Sequence, residues 1–392
     1  MEKTRNIIFG TILALLVLSG ASAGGQKEQT IKIGFNIPLT GDSPKVGEVS
    51  KFAGEIVRNR INAQGGLEVK GVKYPLEFIY VDNEFKAESA IQVAYRLIEQ
   101  DKVLAVVGPQ GSTRAIPAGQ VNNDNRTPMI SAWSTNPDTT KNRPYVFRAA
   151  FLDPFQAPVA VKFAVEQFKA RTAAIFYNLE DDYSKALAGL FRDHWETANG
   201  PGTVVVFESY GQKDQDFSVQ LTKIVNSGAE LLYLPVYYNH VALIVPQAKD
   251  LGWGDKPVLG SDSWGSADLV SLSKGAVTGY YFTTHYAAAG AVGKTKEFID
   301  EYNTAYGYIP DDVAALTYDA IMILLQSIQT AGLSGDLQKD RDAIKDAIAS
   351  LKNYDGITGK MTFTPEGDPI KDAVVVRINE AGEFVYVTSL QP

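Results

Sequence analysis

The sequence predicts an α/β fold of two doubly wound lobes, and three observations carry that prediction. Short apolar, strand-like runs alternate with stretches whose apolar residues recur at helical spacing, a pattern that predicts mostly parallel sheets covered on both faces. The alternation occurs as two series in tandem. The chain of 392 residues, 45% of them apolar, also exceeds the size at which a single hydrophobic core stops growing.

Taken in order, the first element is not part of the fold. Lys3 and Arg5 precede the apolar run from Ile7 to Leu18, and Ala21-Ser22-Ala23 offers a small-residue cleavage site, so residues 1 to 23 are expected to be a secretory signal peptide. The run is shorter than the ~20 residues needed to span a bilayer, and no later apolar run is expected to be long enough. After a polar leader, IKIGFNIPLTG reads as a strand closed by Pro38 and Gly41. Val49, Phe52, Ala53, Ile56, Val57 and Ile61 then keep helical spacing up to Gly65 and Gly66, which suit a C-terminal cap.

The pattern repeats with LEFIYVD and a helix bearing Ala90, Ile91, Ala94, Leu97 and Ile98, then with VLAVVG and its helix, then with TPMIS. A second series is expected from Phe147 onward, through TAAIFYN, GTVVVFES, AELLYLPV and KPVLGSD, with helical spacing between them as in Phe217, Leu221, Ile224 and Val225. Beyond GYYFTT come two long helical patterns, around Phe298 to Tyr306 and around Ala314 to Ile328. GKMTFT, AVVVRI and EFVYVTS follow and are expected to complete sheets already begun, which requires the chain to cross between lobes more than once.

Composition narrows the function. The chain contains no cysteine, which removes disulfides, thiol nucleophiles, thiolate metal sites and a lipid-modified N-terminus. Its formal net charge is −8, and losing Glu2, Lys3 and Arg5 with the leader makes it −9, which argues against a nucleic-acid partner. A soluble exported protein is expected.

The stretch VVGPQGSTRAIPAG runs from a buried strand through Gly108 and Gly111 to Ser112 and Thr113, where a helix begins. A helix N-terminus presents unpaired N–H groups and partial positive charge, and the two hydroxyls add donors, so such a turn suits a carboxylate or phosphate. A Walker-type loop requires a lysine where Gly111 stands. The alternative is that Ser112 only caps its own helix. Other strand ends carry Ser131, Trp133, Ser134 and Thr135, then Tyr183, then Tyr237 and Tyr238, then Asp262. Ligands of open α/β sheets bind beyond the carboxyl ends of the strands, so these residues make a bipolar site, with donors for a carboxylate and an acceptor for an ammonium.

Catalytic patterns are missing. His194, His240 and His285 are the only histidines and form no two-histidine metal motif, and no G-x-S-x-G elbow occurs. Glu180, Asp181 and Asp182 precede a helix, where acids complement its dipole.

Together IGFNIPLTG, INAQGG, VVGPQGS, PMISAWSTNP, DDYS and TYDA resemble the periplasmic leucine/isoleucine/valine-binding proteins of amino-acid ABC importers, over nearly all of the chain after the leader. The resemblance implies the type I periplasmic-binding-protein fold: two α/β lobes, three crossover segments, and a ligand trapped as the lobes close. Lobe 1 is expected at 30–148 plus 283–356, and lobe 2 at 149–282 plus 357–392. Carried over by position, the ligand carboxylate falls to Ser112 and Thr135, with Thr113 beside them, and the ammonium to Asp262 and the backbone carbonyl of Trp133. Tyr183 and Tyr237 match the family's site tyrosines. Tyr238, Trp264 and Val46 complete the expected pocket wall, which suits a branched-chain or other neutral side chain.

The sequence departs from the family pattern at Asp262, where known members carry glutamate, and at Val46, where many carry an aromatic. It also lacks the cysteine pair that many members have. The implied function is a periplasmic receptor, expected to be monomeric and without cofactor, that hands an amino acid to a membrane permease and catalyses nothing. A receptor of the same fold for an amide, urea or aromatic acid is the main alternative, with a secreted hydrolase or the sensing part of a signalling receptor behind it.

Overall fold

The structure, a computed structural model, describes residues 29–266 and 268–391. The expected leader lies outside the described residues. The chain begins with β1 (Ile31–Ile37), α1 (Pro44–Ala63), the hairpin strands β2 (Leu67–Val69) and β3 (Val72–Tyr74), β4 (Leu76–Asp82) and α2 (Ala87–Tyr95). It continues with β5 (Ala105–Val107), α3 (Ser112–Asp124), β6 (Met129–Ser131) and β7 (Val146–Arg148).

A second run follows: α4 (Asp153–Phe168), β8 (Ala173–Asn178), α5 (Asp182–Asn199), β9 (Val204–Tyr210), α6 (Ser218–Asn226), β10 (Leu231–Leu234), α7 (Tyr238–Asp250), β11 (Val258–Gly260), α8 (Leu269–Leu272) and β12 (Tyr281–Thr284). The helices α9 (Gly293–Tyr306), α10 (Asp312–Ala331) and α11 (Leu337–Ala349) come next. The strands β13 (Tyr354–Gly356), β14 (Gly359–Phe363), β15 (Pro369–Ile370), β16 (Ala373–Ile378) and β17 (Phe384–Leu390) complete the chain.

Two sheets organise these elements. The first has the order β4-β1-β5-β6-β7 and is parallel throughout. The second has the order β17-β16-β12-β11-β10-β8-β9, with β8 to β12 parallel and the two tail strands antiparallel. Every residue of β5, β6 and β7 is buried, and so are six of the seven of β1. Strands covered by helices on both faces have no polar side, so their sequences read as unbroken apolar runs.

Two expectations change. Phe147 does not open the second series: β7 pairs with β6 and ends the first sheet. A three-residue apolar strand carries no mark of the sheet it joins, and the second series starts at β8. The α10 helix is long and apolar enough by composition to cross a membrane, contrary to the expectation that no later segment is. Most of it is buried, however, and it packs against α1, α11 and the β2–β3 hairpin as a core helix.

AVVVRI and EFVYVTS, as β16 and β17, complete the second sheet as expected, but GKMTFT does not: as β14 it pairs with β13 and β15 in a small sheet of its own. The chain thus leaves the first sheet after β7, returns after β12 to helices that pack on α1, and comes back to the second sheet at β16.

Candidate ligand-binding site

In the first sheet the strand order reverses between β1 and β5, and in the second between β8 and β10. Crevices beyond the carboxyl ends at such points are where open α/β sheets hold ligands. The helix starts after β5, β8 and β10 carry Ser112, Tyr183 and Tyr237, so both switch points contribute to one place.

On the first lobe the chain turns from β5 into α3 through Gly111 at φ +81°. A Cβ there would lie 2.8 Å from the Tyr237 hydroxyl, so glycine permits both the backbone conformation and the close approach of the opposite lobe. Gly111 is the N-cap, and no side chain caps the helix. Ser112 therefore does not cap α3. Its buried Oγ accepts from Ser134 Oγ at 3.0 Å and from the Asn136 N–H at 3.4 Å. The fully buried Thr135 hydroxyl faces the Asp153 carboxyl without reaching hydrogen-bond geometry. The α3 terminus and these hydroxyls make a neutral, donor-rich wall.

On the second lobe, Asp262 opens a short 3-10 turn after β11 and is 1% exposed. Its Oδ1 accepts from the Tyr183 hydroxyl at 2.7 Å and from Gln156 Nε2 at 2.8 Å. Gln156 is held in turn by its own Oε1, which accepts from the Asp262 N–H and from Thr283 Oγ1. Asp262 Oδ2 faces the His285 ring, with Nε2 at 3.4 Å. His285 is fully buried against Phe151, ring centroids 3.8 Å apart, and burial pushes its pKa down to about 4, so the imidazole is neutral at pH 7. Asp262 thus meets three neutral partners and no lysine or arginine among the described residues.

Asp153 adds a second acid to this corner. It is fully buried, its Oδ2 has no hydrogen-bond partner, and burial followed by the Asp262 charge raises its pKa well above the usual carboxylate range. Gln156 Nε2 sits between the two acids, 3.3 Å from Asp153 Oδ1. A buried carboxylate without a cation is costly, so this corner suits an arriving ammonium.

The lobes are in contact around the site. Asp181, the N-cap of α5, accepts from the Ser184 N–H and forms a 2.8 Å ion pair with Arg114 of α3. Arg114 also lies over the Phe85 ring at 3.7 Å. Thr113 Oγ1 donates to Asp181 at 3.1 Å and accepts from the Asp182 N–H at 2.8 Å, so this hydroxyl is committed to joining the lobes rather than to a ligand carboxylate. Gln212 and Asn239 reach Asp42 across the same gap.

The remaining wall residues divide. Trp133 and Tyr183 each lie 5.5 Å from the Tyr237 ring, and Phe85 meets that ring edge-on, forming an aromatic cluster between the lobes. Trp133 leaves Nε1 without a partner. Tyr238 is buried at the start of α7, and Val46 is buried in the first turn of α1 as part of the core. Trp264 is not in the pocket wall. Its ring lies against Gly260, where a Cβ would come within 2.2 Å, and its Nε1 donates to the Leu234 carbonyl inside the second lobe. A tryptophan one turn beyond a strand end looks the same in sequence whether it faces the cleft or folds back over its own sheet.

Sequence reasoning missed Asp153, Gln156, His285 and Arg114. Asp153 and His285 left a signal, each directly after a strand-like run, YVFRAAFL and GYYFTT. No group of described residues could hold a metal ion.

Comparison with known proteins gives the family and the fold. Residues 30–383 match the family model described as periplasmic binding protein. The leucine-, isoleucine-, valine-, threonine-, and alanine-binding protein of Pseudomonas aeruginosa is 27% identical over 91% of this chain and 92% of its own length. A crystal structure of a leucine binding protein from Thermotoga maritima superposes with a TM-score of 0.83 at 30% identity, covering 93% of this chain and 99% of that one. The branched-chain amino acid transporter substrate binding protein of Streptococcus pneumoniae, in complex with isoleucine, gives 0.82 at 29% identity, covering 92% and 100%. The fold is the type I periplasmic-binding-protein fold, and the chain belongs to the periplasmic binding protein family.

Proposed function

We propose that the protein is the substrate-binding receptor of an ABC importer, holding an amino acid between its lobes and delivering it to a membrane permease. The observation that carries this reading is the buried Asp262 carboxylate, which meets no cationic side chain among the described residues while hydroxyl donors stand on the other lobe. A zwitterion satisfies both halves at once: its ammonium reaches Asp262, Asp153 and the Trp133 carbonyl, and its carboxylate reaches Ser112, Thr135 and the start of α3.

Relatives named for leucine, isoleucine and valine, together with the isoleucine complex, support a neutral aliphatic side chain set against Trp133, Tyr183 and Tyr237. The receptor acts by closure, without catalysis or cofactor, as a monomer in the periplasm after its leader is removed. The two-sheet topology supports two lobes but moves the expected breaks at 283 and 357: β12 stays in the second sheet through Thr284, and the chain rejoins that sheet only at Ala373, after a small β13–β15 sheet that bonds to α10 and to Arg148.

A thermal-shift panel of amino acids, amides and small aromatic acids tests the reading. The cognate amino acid at about 100 times its Kd stabilises the fold by roughly 2.7 kcal/mol. A shift with an amide or an aromatic acid, and none with any amino acid, overturns it in favour of a ligand lacking the ammonium.

A further inference from the structure

Arg148 ends β7, where the chain leaves the first sheet, and its side chain is fully buried. All three nitrogens of its guanidinium are used. Nε donates to Asp368 Oδ1 at 2.6 Å, one terminal nitrogen donates to Thr140 Oγ1 at 2.9 Å, and the other donates to the Ser134 carbonyl at 2.8 Å. Thr140 Oγ1 donates in turn to Asp368 Oδ1 at 2.8 Å. A planar fork with donors in fixed directions serves three acceptors at once, which a lysine ammonium on a flexible stem does not reproduce.

The acid comes from the turn between β14 and β15, on the chain's way back to the second sheet. That turn is built to lie on the end of β7. The Arg148 N–H donates to the Gly367 carbonyl at 3.2 Å, and a Cβ on Gly367, which stands at φ +88°, would lie 2.5 Å from the Val146 carbonyl oxygen. An ion pair that only pinned this turn would need nothing from residue 134.

Residue 134 belongs to the donor wall of the first lobe. Its hydroxyl donates to Ser112 Oγ at 3.0 Å and lies 2.6 Å from Thr139 Oγ1. In that arrangement Ser134 accepts from Thr139, and the Ser112 proton is left for a ligand. The carbonyl held by Arg148 is part of the peptide joining Ser134 to Thr135. A peptide is planar and trans, so fixing that oxygen also fixes the Thr135 N–H, on the opposite edge of the plane.

Resting on the amino-acid reading above, we infer that Arg148, anchored by Asp368 and Thr140, is the positioning residue of the carboxylate wall. It acts through Ser134 and Thr135 rather than on the ligand, holding them where Ser112 and Thr135 meet a carboxylate. Its effect is confined to the carboxylate half of the ligand, and the ammonium half at Asp262 is independent of it.

The test is calorimetric titration with L-leucine and with leucinol, in which a hydroxymethyl group replaces the carboxylate, for the unmodified protein and for Arg148→Lys. The Arg148 charge also reaches Asp153, and lysine preserves it. The expected result is a preference for leucine over leucinol that falls about tenfold in Arg148→Lys, through the affinity for leucine alone. Thr140→Val, close in shape and unchanged in charge, removes the link to Asp368 and lowers the same preference less. It carries the test where Arg148→Lys does not fold. Arg341→Lys is the control for lost stability: Arg341 is also a buried arginine, donating to the Ile98 and Val103 carbonyls, and its replacement lowers the melting temperature with the preference intact. Hydrogen exchange without ligand gives an independent readout, faster over residues 133–140 of Arg148→Lys and unchanged in β8 and β10.

A preference for leucine undiminished in the folded variants, equal losses for leucine and leucinol, or unchanged exchange over residues 133–140 overturns the positioning role. If the unmodified protein shows no preference for leucine over leucinol, the amino-acid reading fails and the positioning role falls with it. The unmodified protein therefore tells the two failures apart.

Discussion

Asp181 and Asp262 stand at the same kind of place and do different work. Each lies beyond a parallel strand of the second sheet, at the start of a helical turn, and each is nearly inaccessible to solvent. Asp181 has its cation built in, as Arg114 from the opposite lobe at 2.8 Å, and it caps α5 as well. Asp262 has Tyr183, Gln156 and a neutral His285. The cost of burying a carboxylate is therefore offset in two ways. For Asp181 the offset comes from the other lobe, so it is complete only when the lobes meet. For Asp262, under the proposed function, it is left to the ligand. Closure and recognition are thus assigned to separate acids.

The comparison breaks first at Asp262. Asp262→Asn is expected to weaken binding of the cognate amino acid by about 3–5 kcal/mol, the cost of removing one member of a buried ion pair. It should change binding of the deaminated analogue little. Calorimetry of both proteins with both ligands measures the coupling, and equal losses for the two ligands would refute the ammonium assignment.

His285 sharpens the contrast, because its neutrality is what leaves Asp262 without a cation. Its folded-state pKa of about 4 lies below the ordinary 6.5, so the unfolded chain takes up a proton that the folded protein refuses. Its contribution to stability is present above pH 6.5 and is lost as pH falls toward 4, by roughly 3 kcal/mol in all. Asp153, raised by burial, titrates with the opposite sign. The His285 part is therefore read as the difference between urea midpoints of the protein and of His285→Gln across that range. Parallel pH profiles for the two proteins would show that the ring is not held neutral.

Asp181→Asn removes the charge from the built-in pair. Since the pair forms only between closed lobes, the loss of about 2–3 kcal/mol should appear in ligand affinity, with small-angle scattering reporting a less compact particle at subsaturating ligand. Combining it with Arg114→Gln should cost little more than either change alone, and simple additivity would count against the latch. The smallest effect is expected at Ser112. Ser112→Ala removes one hydrogen bond to the ligand carboxylate, about 1–2 kcal/mol of affinity, and lowers stability without ligand only through the lost acceptor for Ser134 Oγ and the Asn136 N–H, not through capping of α3. A lowered melting temperature with unaltered affinity would return Ser112 to a structural role.

Much of the site was legible because it obeys a local rule: a buried strand, then a turn, then a polar residue at the start of a helix. Ser112, Thr135, Tyr183, Tyr237 and Asp262 all follow it. Trp264 follows it too and lies elsewhere, since the rule gives a position along the chain and not the direction of a side chain. Thr113 sits one residue beyond Ser112, and one step along α3 turns its hydroxyl from the donor wall toward Asp181. Phe147 carried the right strand signal for the wrong sheet.

The sequence by itself determined the strand and helix alternation, the two tandem series, the positions of the polar strand ends, and, with no cysteine, the absence of thiol chemistry. These depend on periodicity and composition, which act over a few residues. The tertiary structure alone decided which acids have cations. Arg114 lies 67 positions from Asp181, and Gln156 lies 106 from Asp262. Whether a carboxylate is paired by a side chain or left for a ligand is set by what folding brings within about 3 Å of it, and hydrogen bonds and ion pairs of that range carry no periodic trace in the chain.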